Sequence, residues 1–174
     1  MPQNKTHPQR DPFPLRVLDS ATQGLNVLGS ALILMLMVLV GIDVAGRNLF
    51  GKPVSGVPEI VTLSIVAIVF LQIPQALRAG RMTQSDAFLN WLNRASPAAG
   101  KALATLFDLA GIAVVWVIVR TTWPIFTRAW DRSEFIGALG DFTAPVWPVK
   151  LILIIGGAML ILQFAARIWR RFFI

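Results

Sequence analysis

Two uninterrupted apolar runs, Leu25 to Ile42 and Ile60 to Leu77, constrain this chain more than any other feature. Each is 18 residues long and carries no charged side chain. A helix rises ~1.5 Å per residue and the hydrocarbon core of a bilayer is ~30 Å thick, so each run has about the length of one crossing. Between them lies a polar stretch punctuated by Gly and Pro, Asp43 to Glu59, which reads as a tight turn at a membrane surface. Pro53, Gly56 and Pro58 stop the first helix and start the second. Asp43 and Arg47 stand one helical turn apart with the acid first, the favourable order for an i,i+4 pair. The first half of the chain is therefore a membrane hairpin.

The rest follows the same pattern. A third run begins after Ser96–Pro97, an N-cap and first-position pair, and is interrupted once, by Asp108. Trp123–Pro124 is expected to kink or end that helix, and Phe126 to Asp141 to form a long connection of mixed charge. A fourth run, Leu151 to Ala166, closes with Arg167, Arg170 and Arg171. The expected fold is an all-α integral membrane protein with four transmembrane helices, at about 22–46, 58–78, 98–123 and 148–169. Residues 1–14 read as a disordered leader, and residues 15–174 as a single four-helix membrane domain. In the middle loop, Thr83 and Asp86 suggest a capped helix of about three turns, too short to span. Its apolar face, Phe88, Leu89, Trp91 and Leu92, is expected to lie in the lipid interface.

Composition agrees and excludes other classes. The chain is 55% hydrophobic and 14% charged, with a mean hydropathy of +0.65, which is the balance of a polytopic membrane protein. The net charge of +7 points to orientation and not to nucleic acid. Lys and Arg number ten on the side of the leader, middle loop and tail, against six on the other side. The acids Asp43, Glu59, Asp131, Glu134 and Asp141 all fall on the poorer side. By the positive-inside rule both termini and the middle loop are cytoplasmic. With no cysteine and one histidine, His7 in the leader, the chain offers no thiolate metal site, thiol redox chemistry or catalytic triad. No cofactor or metal is expected.

Four polar residues, one from each predicted span, lie at similar depth: Asn26, Gln72, Asp108 and Gln163. Asp108 sits ~10 Å inward of Lys101 and Gln72 ~9 Å inward of Arg78, from the helical rise. They read as an interhelical hydrogen-bond layer in which the glutamine amides satisfy Asp108; the sharper alternative is a proton or ion role for Asp108. Asp43, Arg47 and Glu59 bracket the first turn, where they either are solvated or hold the hairpin closed and meet a partner.

The motif D-V-x-x-R-x-L-F-x-x-P-V-x-G-x-x-E, here Asp43 to Glu59, is followed by a span and then by R-x-G-x-x-x-x-x-D, Arg78 to Asp86. Together with P-x-W-P at Pro145 to Pro148, this resembles the small membrane subunit of TRAP transporters, the DctQ-like family, over roughly Leu15 to the C-terminus. Met82 and Ser85 depart from the pattern. The resemblance implies a tripartite system of the inner membrane, in which a periplasmic binding protein captures an organic acid and a large membrane subunit carries it inward with sodium. This chain would be the obligatory companion of the large subunit, a scaffold and not an enzyme. The alternatives are the small subunit of a tripartite tricarboxylate system and a stand-alone four-helix membrane protein.

Overall fold

The computed structural model describes residues 12–80, 97–138 and 142–173. Within them are four helices long and apolar enough to cross a membrane. These are α1 (Phe13–Phe50), α2 (Val57–Arg78), α3 (Pro97–Asp131) and α4 (Trp147–Phe173). Between α3 and α4 a short antiparallel hairpin pairs β1 (Phe135–Ala138) with β2 (Phe142–Pro145). The interfacial helix expected around residues 83–94 lies outside the described residues.

The helices stand in a row and not in a closed ring. α1 packs on α2, α2 on α4, and α4 on α3, with α1 touching α4 more lightly. The row turns at α4, which inserts between its sequence-distant neighbour α2 and its hairpin partner α3. Leu77, Val115, Leu160 and Phe164 form the core there, with Ile73, Ile112, Val119 and Ile161 against them. Close approach depends on small residues, as is general where lipid gives helices no hydrophobic drive to associate. A side chain at Gly156 would collide with the Phe70 carbonyl of α2, and one at Gly157 with Val119 of α3.

Two ends of the row can be told apart. At one, here the terminal end, the start of α1 meets the ends of α2 and α4, and the end of α4 meets the first turns of α3. At the other, the hairpin end, the α1–α2 turn meets the β-hairpin. The first turn forms as its sequence dictates: α1 stops at Gly51 in the left-handed region (φ 65°), and Gly56 (φ 83°) opens α2 with Pro58 in its first turn. Phe142 of β2 lies directly over Gly56, in the space a Cβ would need. Glycine is thus required there twice, for its backbone and for its bareness.

The segment after Trp123 differs from the sequence expectation. Of the two outcomes expected at Trp123–Pro124, a kink or an end, the end does not occur: the helix runs on to Asp131, into residues expected to form the connection. An interior proline removes one backbone hydrogen bond and costs ~3 kcal/mol in an unsupported helix. Here the extension is anchored: Ala129 is fully buried, Trp130 meets Trp147 edge-on at 4.8 Å, and Arg128 Nε donates to the Pro124 carbonyl at 3.2 Å. The connection is correspondingly shorter and is ordered as the hairpin, with Val146 N–H donating to the Glu134 carbonyl at 3.1 Å.

Candidate functional site

Charged side chains gather at the two ends of the row, and the larger cluster is at the terminal end. α1 supplies Asp19, only 13% exposed at its side chain. Its Oδ2 accepts from Arg170 Nη2 of α4 at 2.8 Å. Its Oδ1 lies 3.2 Å from Arg78 Nε of α2 and 3.3 Å from Gln163 Nε2 of α4. One turn further, Thr22 is wholly buried; its hydroxyl donates to the Leu18 carbonyl at 2.9 Å and accepts from Gln163 Nε2 at 2.8 Å. A single carboxylate thus ties α1, α2 and α4 together.

Asp108 does the same for α3 and α4. It is fully buried; its Oδ2 accepts from Arg171 Nη2 at 2.7 Å, and its Oδ1 lies 3.5 Å from Arg167 Nη1. Arg171 also donates to Thr105 Oγ1 at 2.9 Å. Such charge-assisted bonds are roughly twice as strong as neutral ones. The four residues expected to form one polar layer are therefore divided. Gln163 bonds Thr22 and Asp19, and Asp108 takes arginines where the sequence reading gave it the glutamines. Gln72 lies under Gly29 of α1 and, with half-buried Asn26 and Gln75, lines a polar groove between α1 and α2.

At the hairpin end Asp43 is buried, 6% exposed, and closes the first turn. Its Oδ1 accepts the Val54 N–H at 2.8 Å, across the turn, while Oδ2 accepts from Arg47 at 2.9 Å. Glu59 sits half-buried in the first turn of α2, where the helix dipole favours a carboxylate, and takes no part in that pair. Nearby, Lys150 Nζ reaches Glu134 at 2.9 Å and brings the start of α4 to the base of the β-hairpin. That hydrogen bond holds the Glu134 carboxyl below its ordinary range, helped by the charges of Lys150, Arg132 and Arg128. Asp86 lies outside the described residues.

Sequence reasoning missed Asp19. The signal was present: it is the one acid in α1 on the cation-rich side, three residues before a threonine. Among the described residues no group of three His, Cys, Asp or Glu is placed to hold a metal ion. What the clusters can do is fix helix ends and present charge at two membrane surfaces.

Comparison with known proteins bears on this arrangement. No curated protein and no solved structure matches the chain. One family profile does, over residues 36–173: DctQ, described as tripartite ATP-independent periplasmic transporters, DctQ component. The match takes in the Asp43 turn, the Asp108–arginine pairs and the last three spans. The chain belongs to the DctQ family of tripartite ATP-independent periplasmic transporter components.

Proposed function

We propose that this chain is the scaffold subunit of a sodium-driven importer of an organic acid, bracing a large membrane subunit that works with a periplasmic binding protein. The observation that carries the reading is the open row. α1 is held along one side only, and its apolar side chains Val27, Leu34 and Met37 remain 60–65% exposed. At the other edge, Leu106, Val114 and Val117 of α3 are 57–60% exposed. A row with two long apolar flanks offers a larger membrane partner a wall to lie against, while lipid covers the rest. No discontinuous helix with an unwound middle interrupts the described spans, and such breaks are what build midplane substrate and ion sites. Transport chemistry accordingly belongs to the partner.

In this reading both termini are cytoplasmic, as the ten-to-six distribution of Lys and Arg supports, and residues 15–174 act as one four-helix membrane unit. Asp43, Arg47, Glu59 and Asp86 fix loops that meet the partner or the binding protein. Asp43 supports the first of these roles by accepting the Val54 N–H across the turn while it pairs with Arg47 one helical turn on. The test is co-expression with a candidate large subunit and binding protein, followed by uptake in proteoliposomes with and without this chain. Uptake should require both the chain and a sodium gradient. Uptake that persists without the chain ends the scaffold reading, and uptake indifferent to sodium ends the coupling reading.

A further inference from the structure

α1 and α2 leave two side-chain amides unpaired inside the bilayer. Asn26 of α1 and Gln72 and Gln75 of α2, all half-buried, line a groove of about 500 Å³ between the two helices, with Ala76 and Ala79 also on its wall. The Arg78–Asp19 pair at 3.2 Å marks one level on both helices. From it Gln72 is six residues inward and Asn26 seven, which puts both about 9–10 Å deeper by the helical rise. There Gln72 packs against Gly29, its Nε2 3.2 Å from where a Cβ would stand. Gln75 Oε1 accepts from Arg78 at 3.4 Å. Among the described residues, the side-chain amides of Asn26 and Gln72 have no hydrogen-bond partner.

An amide both donates and accepts, and acyl chains offer it neither. An unsatisfied polar group in hydrocarbon is costly, and these short side chains do not reach back over about 9 Å to the headgroups. What satisfies such groups within a membrane is a neighbouring helix with hydroxyl or carboxamide side chains, and small residues let it come close. Ala76 and Ala79 leave that room on α2. The surface continues along α1. Ser30, Leu34 and Met37 follow Asn26 on the same side at helical spacing, and Leu34 and Met37 are 60% and 65% exposed. One partner helix can thus lie along α1, on polar groups near the terminal end and on apolar ones beyond.

We propose that the α1–α2 groove seats a transmembrane helix of the large membrane subunit, whose hydroxyl or carboxamide side chains pair with Asn26 and Gln72. The inference rests on the scaffold reading and says which face of the row carries the partner.

The test co-expresses the full-length, tagged chain with the large subunit, captures it in detergent and measures the large subunit retained. The variant combines Asn26→Leu with Gln72→Met, which removes both amides at similar bulk. Because neither amide has a partner within the described chain, the isolated variant should melt no lower than wild type. Its affinity for the large subunit should nevertheless fall roughly tenfold, the worth of two interhelical hydrogen bonds in lipid. Unchanged retention overturns the docking face, and so does a loss of retention matched by a lower melting point of the isolated chain. A second arm keeps both amides and places a photo-crosslinking benzophenone residue at Ala79, at the edge of the groove. It should join the chain to the large subunit; adducts only to lipid, or to a second copy of this chain, overturn the assignment. If wild type itself captures no large subunit, the scaffold reading falls and this inference with it, whereas equal capture by wild type and variant removes the docking face alone.

Discussion

Removing the charge of Asp108 tests whether the terminal end is held by ion pairs or by neutral hydrogen bonds. Had Asp108 been satisfied by glutamine amides, asparagine would be a nearly silent substitution. With Arg171 at 2.7 Å and Arg167 at 3.5 Å, it is not. Asparagine keeps an oxygen that Arg171 can reach, but a bond to a charged acceptor is worth ~1.5–3 kcal/mol against ~0.5–1.5 for a neutral one, so Asp108→Asn should cost about 1–2 kcal/mol. Asp108→Leu leaves both guanidiniums facing an apolar side chain. Breaking a buried pair from one side costs ~3–5 kcal/mol. Arg167 is 32% exposed and Arg171 16%, so both can turn partly to water, and roughly 2–3 kcal/mol is the expected loss.

For a chain of this size each kcal/mol moves the unfolding midpoint by about 2–4 °C. The asparagine variant should therefore melt about 2–8 °C below wild type and the leucine variant about 4–12 °C below, followed by tryptophan fluorescence in detergent. Combining Asp108→Asn with Arg171→Gln isolates the pair, and the cycle should return a coupling of at least about 1 kcal/mol. A midpoint for Asp108→Asn within about 1 °C of wild type, or strictly additive single effects, would refute the ion-pair account.

Three further outcomes follow from the hairpin end. Arg47→Ala should cost only ~0.2–1 kcal/mol because Arg47 is exposed, whereas Asp43→Ala should cost ~1–3 kcal/mol by orphaning the Val54 N–H; equal thermal shifts would contradict this. Gly56→Ala adds ~1–2 kcal/mol of left-handed strain to a collision with Phe142, so Phe142→Ala should restore part of its melting temperature but not all. The Lys150–Glu134 pair contributes stability above the ordinary carboxylate range, because the folded pKa is depressed, and that contribution should fade as pH falls through the lowered value. Lys150→Met should therefore narrow the gap in melting temperature between neutral and acid pH, and an unchanged gap would exclude the pair from the acid response.

The first two spans were legible because an uncharged 18-residue run has few other fates, the third and fourth because long apolar stretches flank Asp108 and fill Leu151 to Ala166, and the start of α3 at Pro97 and the turn at Gly56 because proline and glycine act locally. The i,i+4 pair of Asp43 and Arg47 was likewise written into helical periodicity. What lay beyond local rules was the extension of α3 through Pro124. Its support comes from Trp147, seventeen positions on from Trp130, and a propensity argument confined to α3 never meets that residue. The β-hairpin was hidden for a similar reason: each of its strands is only four residues long, and what docks it is Phe142 on a glycine in a different turn.

The polar layer failed as a pairing scheme because depth alone does not choose partners. Gln72 and Asp108 stand at comparable depth on α2 and α3, but α4 lies between those helices, so the two side chains have no common wall. Helix order within the row decides who can meet whom, and it is fixed by contacts such as Gly156 on Phe70 and Gly157 on Val119. Depth counted along the backbone also misleads for arginine, whose long stem lets the head depart from its own Cα level. Arg171 stands near the end of α4, beyond the apolar run, yet its guanidinium reaches a carboxylate counted at ~10 Å below the surface. Asp19 and Arg170, 151 residues apart, meet by the same combination of neighbouring helices and a reaching side chain. A sequence reader who assigns arginines at span ends to the headgroups by default will miss such pairs. Any acid within two or three turns of an arginine-rich helix end is a candidate partner, and the order of helices then selects among the candidates.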